Sequence, residues 1–193
     1  MKRRINKIIR SSVENYQRVL NDLKLQENIQ KISNAAILTF KNDKKMLFCG
    51  NGGSSADAQH IASELSGRFY KDRPPLNAEA LHVNSSYITA VANDYGYDET
   101  YARIIDSCAK KGDLLVAIST SGSSLNVLKA IDRANKIGLT TIGFTGIQGG
   151  KMKEICDIMI QVPSNDTARI QEVHILVGHV ICQIIEEEMF PDA

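Results

Sequence analysis

A short apolar run, Met46-Leu47-Phe48-Cys49, passes without a break into Gly50-Asn51-Gly52-Gly53-Ser54-Ser55 and then into a helical pattern that reaches about Ser66. This order of strand, glycine–serine turn and helix constrains the fold more than any other stretch. A helix that starts directly after a buried strand gathers unpaired backbone N–H groups and the positive end of its dipole at one point, a ready anion site. Ser54 or Ser55 is the expected residue at its mouth. His60 and Glu64 follow four residues apart, on one helix face. The pattern echoes once. Leu114–Ile118 is the clearest strand of the chain, and it runs into Ser119-Thr120-Ser121-Gly122-Ser123-Ser124 and a helix that Gly138 ends, with Leu125, Val127, Leu128 and Ile131 facing inward.

The remaining segments extend the alternation. Thr140–Phe144 and Asp157–Val162 read as strands, and Ala78–Val83 as a weaker one. Helices are expected from Ser85 or Ser86, over 99–110, over 151–155, and from Asp166 or Thr167 to Met189. Asn93-Asp94-Tyr95-Gly96 is a turn signal, and Gly67 is a helix end. Residues 5 to about 40 form a helical pattern, with Ile5, Ile8, Ile9, Val13, Tyr16, Val19, Leu20 and Leu23 at spacings of three and four and a polar break near Asn28. Such a terminal stripe needs a partner, and oligomer contact by residues 1–40 is expected. The fold class is α/β with a mainly parallel sheet covered on both faces, and no linker divides the 193 residues (1-193) into two domains.

Composition excludes several roles. A net charge of +1 argues against a basic field for nucleic acid. Met1-Lys2-Arg3-Arg4 resembles the start of a signal peptide, but Asn6, Lys7, Arg10, Ser11 and Glu14 interrupt any apolar segment after it. Leu114–Ile118 is far too short to cross a membrane. Cys49, Cys108, Cys156 and Cys182 are scattered without a Cys-x-x-Cys pair, so a reduced, cytoplasmic setting is expected.

Two nucleotide motifs fail. Gly50-x-Gly52 lacks the third glycine or alanine of the dinucleotide fingerprint, and Gly150-Lys151 is followed by Met152 and preceded by Thr145 where a P-loop needs glycine. The five hydroxyl residues around Gly122 offer another phosphate cradle, against the plainer reading of a serine-rich turn with one cap. His60 and Glu64 fit a solvent-facing i,i+4 pair, a general base beside a cradle, or two metal ligands. On the last helix, periodicity leaves Gln171, Glu172, His174 and His179 all open as chemical groups. Arg68–Asn77 is a polar loop and a candidate lid, and Glu186-Glu187-Glu188 reads as a solvated face.

Five separated motifs then carry a resemblance. Cys49-Gly-Asn-Gly-Gly-Ser-Ser-Ala-Asp-Ala-Gln-His60, Glu64-Leu65-Ser66-Gly67-Arg68, Ala92-Asn93-Asp94, Ile118–Ser124 and Arg169-Ile170-Gln171-Glu172-Val173-His174 resemble the phosphoheptose isomerases, a family of single sugar-isomerase (SIS) domains. The likeness implies a five-stranded parallel sheet in an αβα sandwich with a long N-terminal helix, assembled as a homotetramer. It implies conversion of sedoheptulose 7-phosphate to D-glycero-D-manno-heptose 7-phosphate, the first step of heptose biosynthesis for lipopolysaccharide or capsule. Carried over by position, Ser119, Thr120, Ser121 and Ser124 bind the phosphate. Asn51, Gly52, Gly53, Asn93, Asp94, Glu64 and Gln171 meet the sugar. Glu64 and His179 are the catalytic pair, and His60, Glu64, Gln171 and His179 hold zinc.

The residue types suit the chemistry. Aldose–ketose exchange through an enediol needs a base for the carbon-bound proton and an acid for the neighbouring oxygen, and a carboxylate with an imidazole provides both. Two other readings are kept: a non-catalytic SIS scaffold that binds the replication initiator, and a SIS isomerase or regulator for a hexose phosphate.

Overall fold

The computed structural model describes residues 1–192. Strands β1 (Met46–Gly50), β2 (Ala78–Ala80), β3 (Leu114–Ile118), β4 (Thr140–Gly146) and β5 (Ile158–Val162) form one all-parallel sheet in the order β2-β1-β3-β4-β5. Seven α-helices accompany it among the described residues: α1 (Lys2–Leu20), α2 (Leu23–Lys41), α3 (Gly53–Ser66), α4 (Ser85–Tyr95), α5 (Thr100–Cys108), α6 (Leu125–Ile137) and α7 (Thr167–Met189).

β1 and β3 are buried at every residue, which is why they read as unbroken apolar runs. Met46, Phe48, Leu114 and Val116 pack on one face with α2, α3 and α7. Leu47, Cys49, Leu115 and Ala117 pack on the other with α5 and α6. The expected αβα sandwich is therefore present. Strand order reverses between β1 and β3, and their register pairs Gly50 with Ile118. The glycine loop and the serine loop consequently leave the sheet side by side at its carboxyl edge, at the point where open parallel sheets bind ligands.

Several local expectations are corrected. The N-terminal pattern is two helices, broken at Asn21-Asp22 and not near Asn28; Asp22 caps α2 through Leu25 N, while Asn28 lies within α2 and donates to the Met159 carbonyl at 2.9 Å. Gly52, with φ +56°, stands at the mouth of α3, so neither Ser54 nor Ser55 caps it. Asn84 caps α4 by accepting from Tyr87 N, in place of Ser85 or Ser86. Asn93, Asp94 and Tyr95 form the last turn of α4, and the chain turns only at Gly96, φ +90°. The second strand stops at Ala80, the short helix expected over 151–155 is a 3₁₀ turn at Gly150–Glu154, and Leu125 points outward, 51% exposed. The helix expected over 99–110 is present as α5, led in by a 3₁₀ turn at Tyr97–Glu99. On α1 only Asn15 and Val19 are buried; Ile5, Ile8, Ile9, Val13 and Leu20 remain exposed.

Candidate active site

The serine loop is built around Gly122. Its φ of +65° favours glycine, and a side chain there would overlap the Gly149 carbonyl oxygen. The turn brings Ser119 Oγ within 2.9 Å of Ser124 Oγ and 3.4 Å of Ser121 Oγ. Ser124 begins α6 without capping it through its side chain. Thr120 and Ser121 line an open cavity of about 310 Å³ together with Gly146, Ser164 and Ile170. The clustered hydroxyls and the start of α6 form a cradle suited to an anion without any cationic side chain.

In the glycine loop, Gly52 and Gly53 are exposed, and Asn51 is half-buried and bonded to Asn126. Asn93 donates to Asp94 Oδ1 at 2.8 Å on the exposed end of α4. A Cβ on Gly53 would collide with the Gln171 amide, so Gln171 lies against the first turn of α3.

The sharper convergence is farther along α3 and α7. His60 Nε2 is 3.0 Å from Glu64 Oε1, and His179 Nε2 is 3.3 Å from His60 Nε2. Ligand atoms of His60, Glu64 and His179 all lie within 4.8 Å of one another, so the three can hold a metal ion. This close approach depends on Gly178: a Cβ there would stand 2.5 Å from Ile61 Cδ1. The pair Ile61–Gly178 lets the two helix backbones approach, and the residues next to each, His60 and His179, then meet. Phe69 packs its ring 5.6 Å from that of His179. Asp57, one turn before His60, is pushed up to about 6 by burial, against the pull of His60, and one of its carboxylate oxygens has no partner.

The tertiary structure thus separates the four candidates on α7. His179 joins His60 and Glu64, while Gln171 sits beside Gly53. Glu172 pairs with Arg169 at 2.6 Å. His174 is fully buried against Phe144, bonds the Thr145 carbonyl at 3.2 Å, and is pushed down to about 4 by burial. Glu187 and Glu188 are exposed as expected, but Glu186 departs from the solvated face: its side chain is buried and accepts from the backbone N–H groups of Phe69, Tyr70 and Lys71 and from Arg73 Nε. The polar loop Arg68–Asn77 is therefore anchored. Sequence patterning missed Phe69, Arg73 and Gly178; a buried glycine inside an apolar helix stripe was the available sign for the last.

Residues 12–146 match the SIS domain family. A phosphoheptose isomerase of Aliarcobacter butzleri is 54% identical over 86% of this chain and 87% of its own length. One from Clostridium acetobutylicum is 47% identical over 98% and 97%. The chain belongs to the phosphoheptose isomerase family of SIS-domain enzymes. Its fold agrees with a solved phosphoheptose isomerase from Neisseria gonorrhoeae, with TM-score 0.90 and 37% identity over 96% of this chain and 98% of the other. Family membership extends the match beyond the superfamily fold, because the leading helices and α7 lie within the aligned lengths.

Proposed function

We propose that this enzyme converts sedoheptulose 7-phosphate to D-glycero-D-manno-heptose 7-phosphate through an enediol. The observation that carries the reading is the approach of Glu64 and His179, from α3 and α7, to within 4.8 Å of each other, with α3 beginning at the glycine loop. Ser119, Thr120, Ser121 and Ser124 grip the phosphate. Asn51, Gly52, Gly53, Asn93, Asp94 and Gln171 meet the sugar chain. Glu64 takes the proton from the carbon next to the carbonyl, and His179 delivers a proton to the carbonyl oxygen as the double bond shifts. Glu64 then returns its proton to the former carbonyl carbon, while His179 takes the proton from the hydroxyl of the neighbouring carbon, whose oxygen becomes the aldehyde, so both groups end as they began.

His60, Glu64 and His179 fit zinc, which favours imidazole nitrogen and carboxylate oxygen, and Gln171 is the fourth ligand carried over by position. When bound, zinc supplies polarisation of the carbonyl and enediolate oxygens. The exposed apolar stripe of α1 supports assembly as a homotetramer, and the scattered free cysteines support a cytoplasmic setting. Among the described residues no helix is long and apolar enough to cross a membrane.

The deciding experiment is incubation with sedoheptulose 7-phosphate, with and without a chelator, following aldose formation. Aldose product supports the reading. No product with metal present, or equal turnover of fructose 6-phosphate, overturns the heptose assignment.

A further inference from the structure

Three loops that are far apart in sequence meet at the side chain of Asn51. Asn51 Nδ2 donates to Asn126 Oδ1 at 2.9 Å, and Asn126 Nδ2 donates back to Asn51 Oδ1 at 2.9 Å. Asn126 is the second residue of α6, just past the serine loop, and is only 3% exposed. The hydroxyl of Tyr97, which follows the end of α4, lies 3.0 Å from Asn51 Oδ1.

The network fixes which way each amide points. Val127 N–H donates to Asn126 Oδ1 at 3.0 Å, and a peptide N–H cannot accept, so the Asn126 oxygen must face it. The reciprocal pair then requires the Asn51 oxygen to face the Asn126 nitrogen. Tyr97 must be the donor in its own contact. Both lone pairs of the Asn51 oxygen are thereby occupied, by Asn126 and Tyr97, and one of its two N–H bonds is spent on Asn126. A single N–H is left to offer.

We infer that Asn126 and Tyr97 are positioning residues that hold Asn51 as a fixed hydrogen-bond donor to an oxygen of the sugar phosphate. The same contacts set the spacing among the glycine loop, the serine loop and the end of α4. The inference rests on the proposed reading that the glycine loop meets the sugar. Its physical basis is that an amide free to turn offers donor and acceptor alike, whereas this one is committed before substrate arrives, which lowers the ordering cost of binding.

Two variants test it against the wild-type enzyme with sedoheptulose 7-phosphate, using inorganic phosphate as a competitive probe of the serine loop. Tyr97→Phe removes one hydroxyl from a half-exposed ring and is expected to lower kcat/KM roughly 3–10-fold with an unchanged melting temperature. Asn126→Asp sets a carboxylate oxygen against the Asn51 oxygen, breaks the reciprocal pair, and is expected to lower kcat/KM about 100-fold. In both, inhibition by inorganic phosphate stays at the wild-type level, because the serine loop keeps its own bonds, including Ser119 N to the Phe144 carbonyl at 2.9 Å. Wild-type kcat/KM in both variants overturns the inference, as does an equal loss of phosphate inhibition, which would mark a collapsed loop. If Asn126→Asp does not fold, Tyr97→Phe decides alone. A wild-type enzyme without turnover of the sugar phosphate sinks the functional reading and this inference with it; an active wild type with unaffected variants sinks the inference only.

Discussion

Arg73 Nε and Glu186 Oε1 lie 3.0 Å apart with both side chains almost wholly removed from water, at 0% and 2% exposure. Arg73 also donates to the carbonyls of Glu64 and Leu65, each at 2.8 Å, so it closes the end of α3. Burial by itself would raise the Glu186 pKa, but three backbone N–H donors and Arg73 outweigh it and hold the carboxyl below its ordinary range. The pair thereby ties α7, the loop 68–77 and the last turn of α3 into one unit. Removing one member of such a pair leaves a buried charge unmatched, at a cost of about 3–5 kcal/mol. Glu186→Ala is expected to lose that much stability in urea titration, with faster amide exchange at residues 69–71. An unchanged denaturation midpoint would refute the anchoring role.

Gly178→Ala tests the approach of α3 to α7. The added methyl meets Ile61, so the helices must part or Ile61 must turn, and the separation of His60 and His179 must grow. Overpacking of this kind costs about 1–3 kcal/mol. Turnover is expected to fall by about 10–100-fold, since small misplacements of reacting groups are costly. The added methyl would meet both Ile61 Cδ1 at 2.5 Å and Cγ1 at 2.6 Å, so Ile61→Ala in the same chain removes both obstructing carbons and is expected to restore part of the loss. Full activity in the single variant would show that the close contact has no bearing on the site.

Glu64→Gln keeps the size of the side chain and removes the base. Turnover is expected to drop by at least ~10²–10⁴-fold. Titration calorimetry is expected to show sedoheptulose 7-phosphate still binding. Retained turnover would exclude Glu64 as the group that takes the carbon-bound proton.

His174 makes a separate prediction about pH. Its folded-state value of about 4 lies below the ordinary value of 6.5 because burial disfavours the charged ring. Between those two pH values the unfolded chain binds a proton that the folded chain does not. Stability from this group is therefore fully present above pH 6.5 and is lost as pH falls towards 4, amounting to about 3 kcal/mol. Glu186 also loses stability in acid, starting as pH falls through the ordinary carboxylate value of 4.5 and ending below its lower folded value. Asp57, raised to about 6, works in the opposite sense between about pH 4 and 6, because there the folded chain holds a proton that the unfolded chain has lost. His174→Phe is therefore expected to remove the rising contribution and leave stability falling as pH rises from about 4 to 6; an equal slope in the variant would assign the effect elsewhere.

The parts of the fold legible in the sequence are those governed by neighbouring residues. β3 is found residue for residue as Leu114–Ile118, because a strand buried on both faces is an unbroken apolar run. Gly138, expected to end α6, does so at φ +91°. The break in the N-terminal helices was hidden because apolar residues keep their spacing across Asn21-Asp22, while the cap that makes the break is a single hydrogen bond. Glu186 was misread because three consecutive glutamates look alike in a sequence, and only the loop folded over the first of them distinguishes it.

The sequence alone determined two strand–loop–helix units, a mainly parallel sheet, and the ordered motifs that mark the family. Those depend on short-range patterning and on the steric rules of strands and turns. That the two units lie side by side comes from the pairing of β1 with β3. Periodicity leaves Gln171, Glu172, His174 and His179 equally open and the family likeness points to His179; the packing of α7 on α3 is what brings its ring to His60. Gln171, Glu172, His174 and His179 differ by position on one helix, and that helix buries Ile170, Val173, Val177, Ile181 and Ile185 and comes close to α3 at Gly178 against Ile61, a contact between residues more than a hundred positions apart.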